Sequence, residues 1–142
     1  MPTRHASATW EGDLVHGKGH VQSESGAVNH PYAFKNRFEN TPGTNPEELI
    51  GAAHAGCFSM ALSAMLAGGG HVPTRVTTKA DVTIDKVGDG FKITKIVLTT
   101  EGVVPGLDEK GFQETAAKAK VGCPVSQALA ATPIELKATL VK

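Results

Sequence analysis

The two cysteines are the residues of this chain best suited to chemistry, and the 142 residues contain no others. Cys57 lies in the apolar run AAHAGCFSMALSAML, and Cys123 lies in GCPVSQAL, which is typical of a helix start. If the fold brings them together, they form a two-thiol redox site; if it does not, they are two small hydrophobic residues. The absence of CxxC spacing gives little support for a zinc site, although His54 and Cys57, three residues apart, could supply two ligands.

Composition excludes several other classes of function. Fourteen basic residues balance fourteen acidic ones, and neither a basic block nor an acidic tail is present, so nucleic acid is not expected as a partner. The start, MPTRHASATWEGD, has no apolar stretch typical of a secretory signal. The longest apolar run, interrupted by His54, Ser59 and Ser63, is expected to be too short for a membrane span. We therefore predict a cytoplasmic protein, in which a permanent disulfide is not expected.

Residue patterns predict one α+β domain over residues 1–142, with the element order β-β-β-α-β-β-α-α-β. Alternating apolar residues and intervening turn residues predict the strands, and caps with breaking glycines predict the helices. The predicted strands cover residues 7–10, 16–23, 32–38, 76–84, 91–100 and 134–140. The predicted helices run from Asn45 to about Leu66, from about Asp108 to Gly122, and from Cys123 to about Ala130.

The long helix is apolar on nearly every face. Asn45 is a good N-cap residue, Pro46 suits the first helical position, and Glu48 falls where a capping-box carboxylate belongs. A helix that is apolar all round must be buried on all sides, which one domain of this size can hardly achieve alone. We therefore predict a homodimer in which a second subunit covers part of this helix.

Cys57 needs a nearby cation before it can act as a nucleophile, because burial raises the pKa of a thiol. Arg37 is the most suggestive of three arginines, since FKNRFE places it beside phenylalanines expected in the core. A buried guanidinium keeps its charge and requires an anionic partner, for which Glu47 is a candidate. Alternatively, Arg37 extends from a strand edge into solvent, and Glu47 only complements the helix dipole.

The helix constrains how such a site could be built. Ten helical residues separate Glu47 from Cys57, which corresponds to about 15 Å of rise. If Arg37, Glu47 and Cys57 form one site, either the helix breaks early or the site forms across a dimer. We favour the dimer, because the apolar helix already requires one.

Cys123 has a separate source of activation. It is expected at the N-cap of a short helix with Pro124 at the first helical position. The positive end of a helix lowers a thiol pKa, which suits a thiol that attacks a sulfenic acid. The alternative is an inert turn cysteine.

The segments GTNPEELIGAAHAGCFSMALS and VGCPVSQAL together resemble the osmotically inducible protein C (OsmC) family, within the OsmC/Ohr superfamily of organic hydroperoxide-reducing proteins. This resemblance implies an intertwined homodimer with β-sheets wrapped around long central helices, and a thiol peroxidase that uses no metal, haem or other cofactor. It implies that Cys57 is the peroxidatic thiol and Cys123 the resolving thiol. It further implies that Arg37 activates the peroxidatic thiol and that Glu47 holds this arginine.

The implied reaction reduces an organic hydroperoxide, and hydrogen peroxide less efficiently, in defence against oxidative and osmotic stress. Cys57 becomes a sulfenic acid, Cys123 resolves it as a disulfide, and an external thiol or dithiol, such as a lipoyl group, restores the pair. Phe58, Met60 and the flanking phenylalanines are expected to line an apolar substrate pocket. Two alternatives remain: a hydrolase in which Cys57 pairs with His54, and a non-catalytic dimer that binds an apolar ligand. For His54 itself, we expect a buried ring bonded to backbone.

Overall fold

A computed structural model describes residues 1–142 and has the α+β element order predicted from the sequence. One additional 3-10 helix covers Phe34–Arg37. The strands are β1 (Ala6–Glu11), β2 (Lys18–Ser23), β3 (Asn29–Tyr32), β4 (Arg75–Val87), β5 (Gly90–Val103) and β6 (Ile134–Leu140). The helices are α1 (Pro46–Gly68), α2 (Glu109–Gly122) and α3 (Pro124–Ala128). The chain divides into two compact units, residues 1–49 and 50–142.

The first unit contains an antiparallel sheet in the order β1-β2-β3. Gly19 on the central strand lies opposite Trp10 on one side and Tyr32 on the other. The two rings close over this glycine, with their centroids 5.3 Å apart. A Cβ atom at residue 19 would lie 2.6 Å from both rings, which is too close for any other residue type without a shift of the rings.

The prediction of a strand over residues 32–38 was wrong. Strand β3 ends at Tyr32, and Arg37 lies in the 3-10 helix that follows. The cause is the buried side chain of Asn36, whose Oδ1 accepts a hydrogen bond from the Ala33 N–H at 2.6 Å. Its Nδ2 donates to the carbonyl oxygen of Pro42 at 2.9 Å. This amide closes a compact turn and so replaces the hydrogen bonds that a continued strand would need.

Helix α1 begins as predicted. The Glu48 N–H donates to Oδ1 of Asn45 at 2.8 Å, and Pro46 is the first helical residue. The helix continues without a break for 23 residues, so the option of an early break is excluded. By length and composition it could cross a membrane, so the expectation that this segment is too short was wrong. The core helix of a soluble protein meets the same criteria.

The second unit contains the main hydrophobic core. Its sheet has the order β4-β5-β6, in which β5 and β6 run parallel. The largest fully buried apolar side chains come from α1, β5 and α2: Phe58, Leu62, Ile96, Leu98 and Phe112. On the same helix α1, however, Met60 is 75% exposed and Met65 is 38% exposed. Within one chain, α1 is therefore not buried on all sides, and its coverage by a second subunit stays a prediction.

The segment between β5 and β6 forms the two shorter helices and positions Cys123. Helix α2 starts where Oδ1 of Asp108 accepts a hydrogen bond from the Gly111 N–H at 2.8 Å, as its N-cap. It ends at Gly122, and α3 follows after Cys123 alone. Helix α3 stops at Ala128, two residues before the predicted end. Cys123 thus lies at the corner between two helices that pack against each other.

Candidate active site

The second compact unit brings the two cysteines together. Cys57 is partly exposed on α1, whereas Cys123 is fully buried at the N-cap of α3. Both cysteines are free thiols, and their side chains lie close enough to interact directly. The juxtaposition that a two-thiol site requires is therefore present within a single chain.

The pKa of Cys57 lies above its ordinary value. Burial is the main cause, and the interaction with Cys123 adds to it. The Val125 N–H opposes the rise without cancelling it. This direction is the one expected for a buried helix cysteine, and it means that Cys57 requires an additional positive charge to become a thiolate at neutral pH.

The pKa of Cys123 lies below its ordinary value, although burial acts to raise it. Hydrogen bonding from the Cys57 thiol and from the backbone and hydroxyl of Ser126 outweighs the effect of burial, and the Val125 N–H contributes further. Within one chain, the negative charge is thus more stable on Cys123 than on Cys57.

A second polar pair lies beside the thiols. His54 precedes Cys57 by three residues on α1, and Ser126 follows Cys123 by three residues in α3, so each pair shares one helix face. His54 Nε2 lies 2.7 Å from Ser126 Oγ, and both residues are buried. The expectation that His54 is buried was correct, but its partner is a side chain rather than the backbone. Burial holds the pKa of His54 below its ordinary value, so the ring is neutral at neutral pH.

The first compact unit contains the predicted arginine–glutamate pair. Arg37 Nε lies 3.0 Å from Glu47 Oε1, and Arg37 Nη2 lies 2.5 Å from the same oxygen. The Glu47 side chain is only 7% exposed, whereas that of Arg37 is 29% exposed. The neighbouring Glu48 is exposed and contacts the cap residue Asn45 instead. Glu47, and not Glu48, is therefore the partner of Arg37.

An apolar cavity of about 240 Å³ also lies in the first unit and includes Arg37 in its wall. Its other lining residues are mainly aromatic and aliphatic: Trp10, Leu14, Tyr32, Ala33, Phe34 and Pro46. Of the predicted pocket residues, the flanking Phe34 lines this cavity, whereas Phe58 is fully buried in the core and Met60 is exposed. The contribution of Trp10 and Tyr32 to this cavity was not predicted. Its signal was the pairing of Trp10 and Tyr32 across a central glycine.

The arrangement contains no group of three or more His, Cys, Asp or Glu side chains that could hold a metal ion. What it provides is a pair of interacting thiols with unequal pKa values and, in the other unit, an arginine fixed by a buried carboxylate. His54 Nε2 bonds to Ser126 and its Nδ1 has no hydrogen-bond partner, so the structure contains no Cys57–His54 hydrogen bond of the kind that a cysteine hydrolase requires.

Comparisons with known proteins show similarity in sequence and fold over most of the chain. A sequence model of the OsmC-like protein family matches residues 38–138. Peroxiredoxin OsmC of Escherichia coli (strain K12) is 58% identical over 129 residues, which cover 90% of each chain. The crystal structure of an organic hydroperoxide resistance protein from Elizabethkingia anophelis matches with a TM-score of 0.77 and 28% identity, over 100% of this chain and 97% of that one. The structure of OhrB from Bacillus subtilis matches with a TM-score of 0.72 and 28% identity, over 96% and 98% of the two chains. The chain therefore belongs to the OsmC-like protein family.

Proposed function

We propose that this protein is a thiol-dependent peroxidase that reduces organic hydroperoxides and that residues 1–142 act as one OsmC-like domain. The direct interaction of the Cys57 and Cys123 thiols carries the proposal. Support also comes from relatives whose names are peroxiredoxin and organic hydroperoxide resistance protein.

In the proposed reaction, the Cys57 thiolate attacks one oxygen of a hydroperoxide and breaks the O–O bond. The alkoxide that is displaced takes up a proton to become an alcohol, and Cys57 becomes a sulfenic acid. Cys123 then forms a disulfide with Cys57 and releases water. An external thiol or dithiol, such as a lipoyl group, reduces this disulfide by exchange, and no cofactor takes part.

Arg37 is the proposed source of the positive charge that Cys57 needs. Lowering a thiol pKa from about 8.5 to about 6 takes roughly 3.4 kcal/mol of preference for the thiolate. A partly buried guanidinium in contact with the sulfur can supply this, and it can also donate hydrogen bonds to the peroxide oxygens. Its fixed pairing with Glu47 keeps the guanidinium in one orientation.

We further propose that the arginine acts across a homodimer. Glu47 and Cys57 are ten residues apart on an unbroken helix, which corresponds to a rise of about 15 Å. The exposed methionines of α1, Met60 and Met65, provide an apolar surface for the second copy.

The likeness to OsmC and Ohr folds favours a soluble protein, and we propose a cytoplasmic location with a role in oxidative and osmotic stress defence.

The proposed substrate preference follows from the apolar cavity beside Arg37. Aromatic and aliphatic walls favour an alkyl or aryl group, whereas hydrogen peroxide gains nothing from them. We therefore expect faster reduction of organic hydroperoxides than of hydrogen peroxide.

The direct test compares the consumption of cumene hydroperoxide and hydrogen peroxide, with a dithiol as reductant. We expect faster turnover of the organic substrate and loss of two free thiols per chain on oxidation without reductant. Arg37→Lys should react much more slowly while remaining folded, because lysine keeps the charge but loses the planar fork. If neither peroxide is consumed, or if Cys123→Ser leaves turnover intact, the two-thiol peroxidase is wrong.

A further inference from the structure

A buried histidine–serine pair connects to the resolving thiol and is not used in the reaction described above. His54 Nε2 and Ser126 Oγ are 2.7 Å apart, and the residues are 0% and 3% exposed. The other ring nitrogen of His54, Nδ1, is buried without any hydrogen-bond partner. Buried polar atoms almost always have partners, so an unpaired one requires an explanation.

The geometry aligns this pair with the two thiols. His54 and Cys57 lie on one face of α1, and Cys123 and Ser126 lie on one face of the first turn of α3. Ser126 is at the third helical position after the Cys123 cap, from which a side chain can reach back toward the cap residue. The four side chains therefore form two parallel contacts between the helices: thiol with thiol, and imidazole with hydroxyl.

The unpaired nitrogen indicates the direction of these hydrogen bonds. If the Ser126 hydroxyl donated to His54 Nε2, the ring proton would lie on Nδ1 and leave a buried N–H donor unpaired. If instead His54 Nε2–H donates to Ser126 Oγ, then Nδ1 is only an unpaired acceptor, which is the less costly state. In this second arrangement the single Ser126 proton is free to point at the Cys123 sulfur.

We propose that Ser126 is a catalytic residue of the resolving step, whose hydroxyl donates a hydrogen bond to the Cys123 sulfur, and that His54 is a positioning residue that holds this hydroxyl in the donating direction. The inference rests on the proposed peroxidase function. It is supported by the lowering effect of the Ser126 hydroxyl on the pKa of Cys123.

The step itself needs no outside reagent. An electron pair of the Cys123 sulfur forms the S–S bond to Cys57 while the S–O bond of the sulfenic acid breaks. The oxygen leaves as hydroxide and joins the proton lost by the Cys123 thiol to give water. Ser126 keeps its own proton throughout and stabilises the negative charge that the Cys123 sulfur carries once its thiol proton has left, so that more of Cys123 is present as the attacking thiolate.

The test measures the two chemical steps separately in the full chain. Protein is mixed with one equivalent of cumene hydroperoxide, and mass spectrometry follows both the Cys57–Cys123 disulfide and the sulfenic acid trapped by dimedone. For Ser126→Ala we expect peroxide consumption in the first turnover at the wild-type rate, disulfide formation roughly tenfold slower, and accumulation of trapped Cys57 sulfenic acid. Ser126→Thr, which keeps the hydroxyl, should restore fast disulfide formation.

Matched variants separate this role from a general loss of structure. As a control, Ser59→Ala removes a hydroxyl group from α1 that donates a hydrogen bond to Thr78 at 2.7 Å. This variant should leave the rates of peroxide consumption and disulfide formation unchanged. His54→Leu should slow disulfide formation as Ser126→Ala does, whereas His54→Gln, which retains an N–H donor, should slow it less. If Ser126→Ala does not fold, the two His54 variants still test whether the rate of disulfide formation depends on this hydrogen bond.

The outcomes are distinguishable. If the wild-type protein forms the disulfide and Ser126→Ala forms it at the same rate, the inference is overturned and the proposed peroxidase function is unaffected. Failure of the wild-type protein to form either sulfenic acid or disulfide overturns the proposed function and this inference with it.

Discussion

Replacement of Glu47 by Gln tests whether this carboxylate holds Arg37 in place. The side chain is 7% exposed, and its Oε1 accepts hydrogen bonds from two nitrogens of Arg37, at 3.0 and 2.5 Å. Glutamine has the same shape but loses the charge, and its NH2 group cannot accept the hydrogen bond that Oε2 accepts from Arg37 Nε at 3.3 Å. Loss of a charged hydrogen-bond pair at a mostly buried site costs about 2 to 3 kcal/mol.

The chain offers a matched control in the next residue. Glu48→Gln removes the same charge from the same helix turn, but Glu48 is exposed and contacts only Asn45, at 3.4 Å. Its loss should cost about 0.5 kcal/mol, mostly through the helix dipole. For a chain of this length, each kcal/mol lowers the melting temperature by roughly 2 to 4 °C. We therefore expect a fall of roughly 5 to 10 °C for Glu47→Gln and of about 1 to 2 °C for Glu48→Gln.

Thermal unfolding and first-turnover kinetics together check this reasoning. In the proposed mechanism a loosened Arg37 is oriented less often toward the thiolate, so peroxide reduction by Glu47→Gln should be roughly tenfold slower, with Glu48→Gln near wild type. Combining Glu47→Gln with Arg37→Gln should then cost less than the sum of the single changes. Equal melting temperatures and equal rates for the two glutamine variants would refute the role given to Glu47.

Three other changes give sharp expectations. Cys123→Ser should still consume one equivalent of hydroperoxide but stop at a Cys57 sulfenic acid, seen as one dimedone adduct; an intermolecular Cys57 disulfide as the main product would contradict this. The pKa of buried His54 lies below its ordinary 6.5, so the unfolded chain takes up this proton first as the pH falls below about 6.5, and wild type should lose stability on acidification. Urea unfolding at several pH values should show that His54→Gln loses less stability on acidification than the wild-type protein. Parallel curves of stability against pH for the two proteins would rule this out. Gly19→Ala places a Cβ 2.6 Å from two rings, so it should lower stability and alter the near-ultraviolet circular dichroism of the aromatic cavity. The control Gly90→Ala, whose Cβ meets no atom within 4 Å, should change neither property. Equal melting curves for the two variants would contradict this expectation.

Local chemistry explains why much of the fold was predictable. Asn45 followed by Pro46 sets the start of α1 through one side chain and one fixed backbone angle, and Cys123 followed by Pro124 sets the start of α3 in the same way. These signals lie within a few residues of the structure that they produce. The segment 32–38 was predicted wrongly because its conformation depends on Asn36 hydrogen bonds to Thr41 and Pro42, which residue spacing does not reveal.

The site was less predictable, because its contacts join distant parts of the chain. His54 and Ser126 are 72 residues apart, and nothing in the pattern around either residue identifies the other as its partner. The contact between the thiols likewise depends on the placement of α3 against α1, and only the family resemblance indicated it beforehand. By contrast, the Arg37–Glu47 pair spans ten residues and could be proposed from charge and burial alone.

The unequal exposure of the two cysteines determines which sulfur the external thiol attacks when it reduces the proposed disulfide. Cys123 is fully buried, whereas Cys57 is partly exposed, so in the proposed mechanism we expect a reducing thiol to attack the disulfide at the Cys57 sulfur. Cys123 is then the leaving group, and a thiol whose pKa lies below its ordinary value leaves more readily. In the proposed mechanism the mixed disulfide with the reductant therefore forms on Cys57, and the hydrogen bonds that lower the pKa of Cys123 help this thiol to leave.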